Sequence, residues 1–477
     1  MKNKIDLIIS VIPVVVLIVL LAFTIQIFGS DALSGAAQTA LLAAAGLCCF
    51  LAMWWFKVPW KQLEDGIKVN VGNVSIALVI LLLIGAISGT WILSGVVPLL
   101  IYYGLQIISP SFFLVCTCLI CCLVSVMTGS SWTTIATIGI ALLGIGEAQG
   151  FSEGLIAGAI VSGAYFGDKM SPLSDTTVMA SSMGDVPLFS HIRYLVYTTV
   201  PAILITILIF TVLGLSHQVN DAAEIQLYTQ ILSGKFNLTP WLLVVPVLTI
   251  VMIARRLPAL VVLFLSTLTA AIFALIFQPH ILEEVGGNSS ANHVFTGMIM
   301  SICGETQIET GVPHINELVS TTGMSGMLNT IWLIISAMCF GACMTASGML
   351  EHITMLLTPL CHKRTGMVAI TVSTGTLLNG MVADQYLSII LTSNMFKGIF
   401  RRQGYENRLL SRCLEDSCTV TSPLFPWSSC GMTQATILGV PTLTYLPYCF
   451  FNMLCPLASI TVAALGWKIF KHCEENL

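Results

Sequence analysis

The fold of this chain is decided by the residues Gly167-Asp168-Lys169-Met170-Ser171-Pro172-Leu173-Ser174-Asp175-Thr176-Thr177, which place three charges and several hydroxyl groups between two strongly apolar segments. A carboxylate at the centre of a bilayer costs about 2.5 to 3.5 kcal/mol, so acids found there usually line a substrate or ion path. Pro172 lacks a backbone N–H and clashes with the preceding turn. A helix from Leu155 is therefore predicted to break near Met170, leaving carbonyl groups free to face a ligand. The alternative is a polar surface loop between two spans.

The composition is that of a membrane protein. Of 477 residues, 56% are hydrophobic and only 9% are charged, with a mean hydropathy of +0.92, whereas about 25% charged residues is usual in soluble proteins. A spanning helix needs about 20 apolar residues, so the chain has room for roughly ten to twelve crossings or part-crossings. We expect one all-α polytopic membrane domain over residues 1–477. The net charge of -4 and the lack of a Gly-rich phosphate loop give no case for nucleic acid.

Basic residues predict which loops face the cytoplasm. Lys2 and Lys4 precede the first span, which we place at Leu7 to Phe28, and three lysines follow the second span. Lys468 and Lys471 follow the last apolar stretch. Both termini are therefore expected to be cytoplasmic.

A hairpin is predicted in the second half of the chain. Basic residues on both sides, Lys363-Arg364 and then Lys397, flank an apolar stretch of 32 residues, 365–396. Two full spans need about 40 residues, so this stretch suits a re-entrant hairpin that enters and leaves on one face. Its midpoint, and hence its predicted tip, is Asn379-Gly380.

A weak internal repeat gives the hairpin a partner. An offset of 251 places Gly129 on Gly380 and Ser171-Pro172-Leu173 on Ser422-Pro423-Leu424. The corresponding halves are 57–217 and 308–468. The partner hairpin would run from Leu114 to Ile145, with its tip at Thr128 to Ser131.

Loop charges indicate that the two halves are inverted. The segment from Lys397 to Arg412 has five basic residues, whereas the corresponding segment, Gly146 to Val161, has two glutamates and no Lys or Arg. The basic loop around Lys57 likewise corresponds to an acidic one, Ile308 to Val319. Inverted repeats with broken helices are common in secondary transporters. We therefore predict two inverted repeats, each with a re-entrant hairpin and a broken transmembrane helix.

The two hairpin tips and two broken helices would then meet near the membrane centre. Sodium is a hard cation that prefers hydroxyl, carbonyl and carboxylate oxygens, and both polar sets supply them. The first set contains Thr128, Ser130, Ser131, Thr133, Asp168, Ser171, Ser174, Asp175 and Thr176, and the second contains Asn379, Asp384, Gln385, Glu415, Asp416, Thr419, Thr421 and Ser422.

Cation exchange follows if one carboxylate holds either sodium or a proton, and if the site changes sides only when occupied. Competition near neutral pH requires a carboxyl pKa well above the usual value of about 3.9, which burial can supply. The candidate coupling acids are Asp168 and Asp175 first, then Asp384 and Asp416. Two alternatives stay open: Lys169 can pair with one of the first two acids, and Glu415-Asp416 can pair with Arg408 or Arg412.

The run from Tyr165 to Thr177 resembles the signature of the NhaC family of sodium/proton antiporters. This resemblance implies secondary active exchange of sodium against protons in a bacterial inner membrane, and an architecture like that of ion transporters with inverted hairpins. We expect Na⁺ and H⁺ as the transported ions and no cofactor. Some relatives exchange organic acids or carry amino acids, so the class is better specified than the solute.

Three other functions were weighed. The runner-up is a Na⁺- or H⁺-coupled carrier of a small organic anion or amino acid, for example a malate/lactate exchanger, whose solute carboxylate would meet helix N-termini at the breaks. A channel is disfavoured because gating hairpins suit alternating access. An enzyme is disfavoured because neither polar set contains a histidine. The large apolar surface permits a homodimer within the lipid bilayer.

Overall fold

The computed structural model describes residues 2–28, 35–216, 222–255, 257–287, 292–355 and 363–469, and nearly all of them are helical. The only β contact in these ranges is a single bridge between Thr306 and Thr321. Nine helices there are long and apolar enough to cross a membrane, and two bent helix pairs bring the count to eleven. The prediction of an all-α polytopic membrane protein is confirmed. The prediction that the C-terminus is cytoplasmic rests partly on Lys471, which lies outside the described residues.

The first half of the chain supplies the first hairpin and the first broken helix. Its helices are α1 (Lys2–Phe28), α2 (Ala36–Trp54), α3 (Trp60–Leu93), α4 (Val96–Ile107), α5 (Pro110–Thr128), α6 (Ser131–Thr134), a π-helix (Ile135–Gly139), α7 (Ile140–Ala148), α8 (Glu153–Met170), α9 (Asp175–Met183) and α10 (Leu188–Ser216).

Connecting helices follow, and then the second half. These are α11 (Ala222–Lys235), a 3₁₀-helix (Pro240–Leu243), α12 (Val244–Ala254), α13 (Ala259–Phe277), α14 (Pro279–Gly286), α15 (His293–Cys303), α16 (Pro313–Leu318), α17 (Gly323–Gly326), α18 (Leu328–Ala346), α19 (Met349–Met355), α20 (Arg364–Val382), α21 (Gln385–Arg402), α22 (Asn407–Leu414), a π-helix (Glu415–Thr419), a 3₁₀-helix (Ser422–Leu424), α23 (Ser429–Leu438), α24 (Thr442–Tyr445), a 3₁₀-helix (Leu446–Tyr448) and α25 (Phe450–Leu465).

The first hairpin turns where the sequence predicts. Helix α5 ends at Thr128, and the next residue, Gly129, adopts the left-handed conformation with φ 69°. Ser130 then caps the next helix, because its Oγ accepts a hydrogen bond from the backbone N–H of Thr133. The reversal takes only two residues, since glycine adopts positive φ without the steric cost that a side chain adds.

The second hairpin turns four residues later than predicted. Its left-handed residue is Ala383, with φ 58°, and Asp384 caps α21 by accepting a hydrogen bond from Leu387 N–H. The predicted tip at Asn379-Gly380 is wrong because α21 does not end before Lys397 but continues to Arg402. The arms have 19 and 18 residues, so the length argument for re-entry no longer holds, and re-entry stays a prediction.

Helix bounds in the two halves agree at an offset of 254 rather than 251. Helix α5 maps onto α20 from end to end, and the arm from Ser131 to Ala148 maps onto α21. The next residues match as well, since Gly150 and Gly404 both have positive φ, at 83° and 73°. That the two halves are inverted in the membrane remains a prediction.

Both helix breaks follow a similar plan. Helix α8 ends at Met170, the backbone is extended at Ser171 and Ser174, and α9 begins at Asp175. The break predicted from Pro172 is confirmed. In the second half a π-helix and a short 3₁₀-helix lead to the break at Phe425, before α23 begins.

The two largest apolar cores contain most of the buried side chains of the bundle. The hairpin core joins the C-terminal part of α3 to both arms of the first hairpin and to α8, and it includes Ile84, Ile135 and Ile160. The α1–α2 core joins those two helices to α18 and to the middle of α3, and it includes Leu81 and Ile334.

The two hairpin tips provide a matched test of backbone strain. A Cβ on Gly129 would lie 2.6 Å from the backbone C of Leu173, and its φ is unfavourable for alanine. We expect Gly129→Ala to lower the thermal stability of the detergent-solubilised protein, by about 1 to 3 kcal/mol, and to impair function. Ala383→Gly is the control, since it relieves a positive φ. Equal melting temperatures for native and Gly129→Ala proteins would contradict this account of the tip.

Candidate functional site

A cavity of about 640 Å³ lies between the two hairpin tips. Three carboxylates line it, from Asp168 at the end of α8, Asp175 at the start of α9 and Asp384 at the second tip. The other polar lining residues are Asn70, Asn73, Thr128, Ser130, Thr133, Ser174, Thr176, Gln385 and Tyr386. The structure therefore brings carboxylates from both halves of the chain to one site, as the sequence predicts.

Close packing of α8 on α5 places Asp168 beside the first tip. A Cβ on Gly163 would lie 2.3 Å from the carbonyl oxygen of Cys118, and one on Gly167 would lie 2.2 Å from the backbone C of Ser125. Small residues four apart let two membrane helices approach in this way. No larger side chain fits at either position, so the glycines fix how far α8 reaches toward the tip.

Asp168 is bound to the first tip by both of its carboxylate oxygens. Oδ1 accepts a hydrogen bond from the backbone N–H of Ser131 at 2.7 Å, and Oδ2 accepts one from the Ser131 hydroxyl at 2.5 Å. Ser131 begins a helix, and a helix N-terminus carries a partial positive charge that stabilises an anion. Asp168 is 5% exposed, so these two donors replace most of the water that an ionised carboxylate would otherwise bind.

Other hydroxyl groups lie at the first tip and beside the backbone of Asp168. Thr133 Oγ1 donates to Ser130 Oγ at 3.2 Å, and Ser130 N–H donates to Thr128 Oγ1 at 3.1 Å. On the other side, the Thr177 hydroxyl donates to the carbonyl oxygen of Asp168 at 2.5 Å. These oxygens, with the carboxylate, are the ligand types that suit a hard cation.

The second tip carries its own carboxylate. Asp384 accepts hydrogen bonds from Leu387 N–H at 2.9 Å and from the Ser429 hydroxyl at 3.4 Å. The carbonyl of Ala383 in turn accepts from Ser429 N–H at 2.8 Å, which joins the tip to α23. Asp384 is 4% exposed. Asp175, in contrast, is exposed and faces the cavity from the first turn of α9.

The offset of 254 shows how charge differs between the halves. Asp168 corresponds to Ser422, whose hydroxyl donates to Gln385 Oε1 at 3.2 Å, and Gln385 corresponds to Ser131. The contact between broken helix and hairpin tip is thus present twice, once with a carboxylate and once without. The offset of 251 that the sequence suggests would instead match Asp168 with Thr419.

Several candidate residues do not line the cavity. The Asn379 amide donates to Cys418 O at 2.7 Å and to Thr421 Oγ1 at 3.0 Å, while the Ser171 hydroxyl donates to Val126 O at 2.8 Å. With Ser422 they hold the tips and breaks in place behind the cavity wall.

Asp416 also lies behind the wall, in a cluster of buried charges. It forms an ion pair with Lys169, and both side chains are 0% exposed. The Thr198 hydroxyl donates to the same carboxylate oxygen at 3.1 Å, and Arg412 Nε lies 3.9 Å from the other oxygen. Arg408 pairs with Glu406 instead. The ion pair of Lys169 with Asp168 or Asp175 that the sequence left open is not formed.

Sequence reasoning missed part of the site. Asn70 and Asn73 on α3, and Tyr386 on α21, line the cavity although no motif marks them. The pairing of Lys169 with Asp416 joins residues 247 positions apart, and only the fold reveals it.

Outside the cavity, another contact joins the two halves of the chain. Asp185, in the turn after α9, forms exposed ion pairs with Lys397 and Arg401, both at 2.7 Å. The hydrogen bond from Lys397 and the charges of Lys397 and Arg401 hold the pKa of Asp185 below its usual value.

Comparison with known proteins gives the same assignment as the motif. The profile of the Na⁺/H⁺ antiporter family matches residues 163–467. The Na⁺/H⁺ antiporter NhaC of Alkalihalophilus pseudofirmus is 38% identical over 427 residues, covering 89% of this chain and 88% of that protein. NhaC of Bacillus subtilis is 35% identical over 425 residues, covering 88% and 89%.

A third relative has a different printed activity. The malate-2H⁺/Na⁺-lactate antiporter of Bacillus subtilis is 38% identical over 400 residues, covering 83% of this chain and 82% of that protein. All three relatives are antiporters, and all three match most of this chain. The chain therefore belongs to the Na⁺/H⁺ antiporter family, as its resemblance to the NhaC proteins indicates.

Proposed function

We propose that this protein exchanges Na⁺ for H⁺ across a bacterial inner membrane by alternating access, with the two cations competing for the carboxylates of the 640 Å³ cavity. One observation carries the proposal: carboxylates from both halves of the chain line a single cavity, and no Lys, Arg or His is among the described residues that line it. Such a cavity attracts cations and has no fixed positive charge to replace them.

Asp168 is the leading coupling residue because of its contacts. Both of its oxygens accept hydrogen bonds from Ser131, and donors of this kind favour the ionised form. Sodium bound beside the carboxylate opposes protonation, and a proton on the carboxyl group weakens the attraction for sodium. Burial makes both effects strong, because charges interact more strongly where water is excluded.

The meeting of the tips supports re-entrant, inverted hairpins. Thr128 to Ser130 and Asp384 to Leu387 line the same cavity, although each arm is long enough to approach a full crossing. Two hairpins that enter from opposite faces would bring their tips together in this way near the midplane. The inversion of loop charges between the halves supports the same arrangement.

A solute exchanger of the malate/lactate type is the second candidate, favoured by the third relative and by the size of the cavity. At about 640 Å³, the cavity is within the range of about 300 to 1,000 Å³ that is usual for small-molecule sites. The lining opposes an organic anion, however. The helix N-termini at the two breaks, where a solute carboxylate would bind, already have partners. Asp175 lies in the first turn of α9, and Ser428 Oγ accepts a hydrogen bond from Gly431 N–H at the start of α23.

Asp416 is assigned a structural role rather than a coupling role. Its partner Lys169 follows Asp168 directly, and side chains on consecutive helical residues point about 100° apart. Asp168 therefore faces the cavity while Lys169 faces the π-helix of the second half. The buried pair joins the two broken helices and keeps the ammonium group away from the cavity.

Neutralising the cavity acids tests the proposed exchange. In inside-out vesicles with a pH gradient, we expect added sodium to release protons for the native chain, and Asp168→Asn to reduce this exchange by at least about tenfold, which corresponds to about 1.4 kcal/mol of lost interaction. Asp384→Asn and Asp175→Asn should raise the sodium concentration needed for half-maximal exchange.

Asp185→Asn is the matched control for these variants. It makes the same chemical change in an exposed turn outside the cavity, where ion pairs contribute little, so exchange should persist. Full exchange by Asp168→Asn would refute carboxylate competition at that residue. No sodium response in the native chain would refute the proposed function.

Adding solutes to the same vesicles separates the two candidate functions. Because the lining has no basic residue, we expect malate and lactate to leave the sodium-dependent proton flux unchanged. A solute exchanger would instead show sodium and proton flux only when one of these anions is present on each side.

The assignment of Asp416 is tested through stability. Asp416→Asn leaves the Lys169 ammonium buried without its partner, which should cost about 3 to 5 kcal/mol in unfolding free energy. The double variant Lys169→Met/Asp416→Leu removes both charges and should recover much of the loss. If the double variant folds but its sodium response is lost together with the proton response, Asp416 or Lys169 takes part in coupling.

A further inference from the structure

A second cavity approaches the first from the other end of α3. It has a volume of about 1210 Å³, and its lining includes Glu147, Glu153, Glu305 and Glu309. Glu305 and Glu309 are exposed, so this cavity reaches the protein surface. The 640 Å³ cavity reaches the surface elsewhere, at the exposed residue Leu257.

Three structural elements line both cavities. The number of residues between the two linings on each element gives the distance between the cavities. On α3, Ile80 lines the smaller cavity and Ile84 the larger. Four helical residues correspond to about 6 Å along the axis. In the second arm of the first hairpin, the last residue on the smaller cavity is Thr133 and the first on the larger is Ile140, which corresponds to about 10 Å.

The barrier is therefore thin at these helices. A hydrocarbon core is about 30 Å thick, and the two cavities together leave only a fraction of it closed along α3 and the hairpin arm. Along the third element, α18 and the residue before it, the two cavities are further apart. Met327 lines the larger cavity and Met338 the smaller one. A cation in the smaller cavity is thus closest to the other side beside α3 and the hairpin arm.

Trp132 is the large side chain at this place. It lines the smaller cavity. It is also the one partly buried apolar side chain, among the described residues, that packs against both the hairpin core and the α1–α2 core. The indole ring thus packs at the seam between the two cores, one of which contains Ile135 of the π-helix and the other Leu81 of α3.

The indole ring is held by packing alone. Its Nε1–H is buried and has no hydrogen-bond partner within the described part of the chain. A buried donor without a partner is unfavourable. Moving the ring therefore breaks no hydrogen bond and gives the N–H a chance to gain one. A π-helix begins at Ile135, three residues after Trp132, and such segments are rare and recur at functional sites.

Trp132 is also next to the proposed coupling residue in the chain. Ser131, which precedes it, binds Asp168 through both its backbone N–H and its hydroxyl. A proton or a sodium ion at Asp168 changes how this carboxylate accepts those two hydrogen bonds. Any resulting shift of the Ser131 backbone is passed to Trp132 across one peptide unit.

We propose that Trp132 is the positioning residue that closes the passage between the two cavities, and that its position follows the occupancy of Asp168 through Ser131. This proposal rests on the exchange function proposed above and adds the residue that prevents leakage. The larger cavity then becomes the access path from the opposite face of the membrane.

The first test measures coupling in proteoliposomes. Trp132→Ala should open the passage and let sodium flow without protons, so that the sodium flux per proton rises about tenfold or more, as a barrier lowered by about 1.4 kcal/mol would allow. Trp132→Phe is the matched variant, since a smaller aromatic ring still fills the seam, and it should keep the native coupling ratio.

The second test measures access without relying on transport. No cysteine is among the described residues that line either cavity, so introduced thiols report on them against the native chain as background. Ser88→Cys lies in the larger cavity and Ala77→Cys in the smaller. In a labelling pulse shorter than one transport cycle, and with Trp132 present, a membrane-impermeant thiol reagent should reach each mainly from one face. With Trp132→Ala, each should become reactive from both faces.

The outcomes are distinct. One-sided labelling together with native coupling in Trp132→Ala would overturn the proposal. Loss of exchange in that variant without a sodium leak, and with labelling still one-sided, would also overturn it, because Trp132 would then only support the site. If the native chain shows no sodium exchange but Trp132→Ala makes labelling two-sided, the proposed function fails and the barrier assignment stands.

Discussion

The bond between Asp168 and Ser131 is the contact on which the rest of the site depends. It requires α8 to stop just after Asp168, which Pro172 brings about, and α5 to lie close enough for the tip to reach α8, which Gly163 and Gly167 permit. A buried carboxylate that lacked these two donors would be costly. The break, the glycine contact and the tip turn are therefore parts of one solution to placing a charge inside the membrane.

The second half builds the same contact with different chemistry. Ser422 and Gln385 stand where Asp168 and Ser131 stand in the first half, and they meet through a neutral hydrogen bond. The acid of the second half has moved to the tip, since Asp384 caps its helix where Ser130 caps the other. A repeated backbone thus carries an unrepeated charge pattern, which gives the cavity one strongly buried acid from each half.

The sequence predicts those features that depend on local chemistry. Pro172 predicts the first break because it cannot continue the helix. The first tip was predicted through the repeat, which matches Gly129 with Gly380, and glycine suits that turn because it adopts positive φ at little steric cost. The second tip was misplaced because charged residues such as Lys397 were assumed to end a helix that in fact extends beyond them. The Lys169–Asp416 pair and the contribution of Asn70 to the cavity lining could not be predicted, because they depend on how distant helices pack.

The arrangement of charge around α8 explains why Lys169, next to the proposed coupling residue Asp168, does not neutralise that carboxylate. If the Lys169 ammonium faced the cavity, it would be a permanent counter-ion for Asp168, and neither sodium nor a proton would be needed there. Its pairing with Asp416, with Thr198 as a further hydrogen-bond partner, holds it on the other side of the helix. The fixed positive charge is thereby neutralised locally, and the carboxylate at Asp168 stays available for cations that can leave.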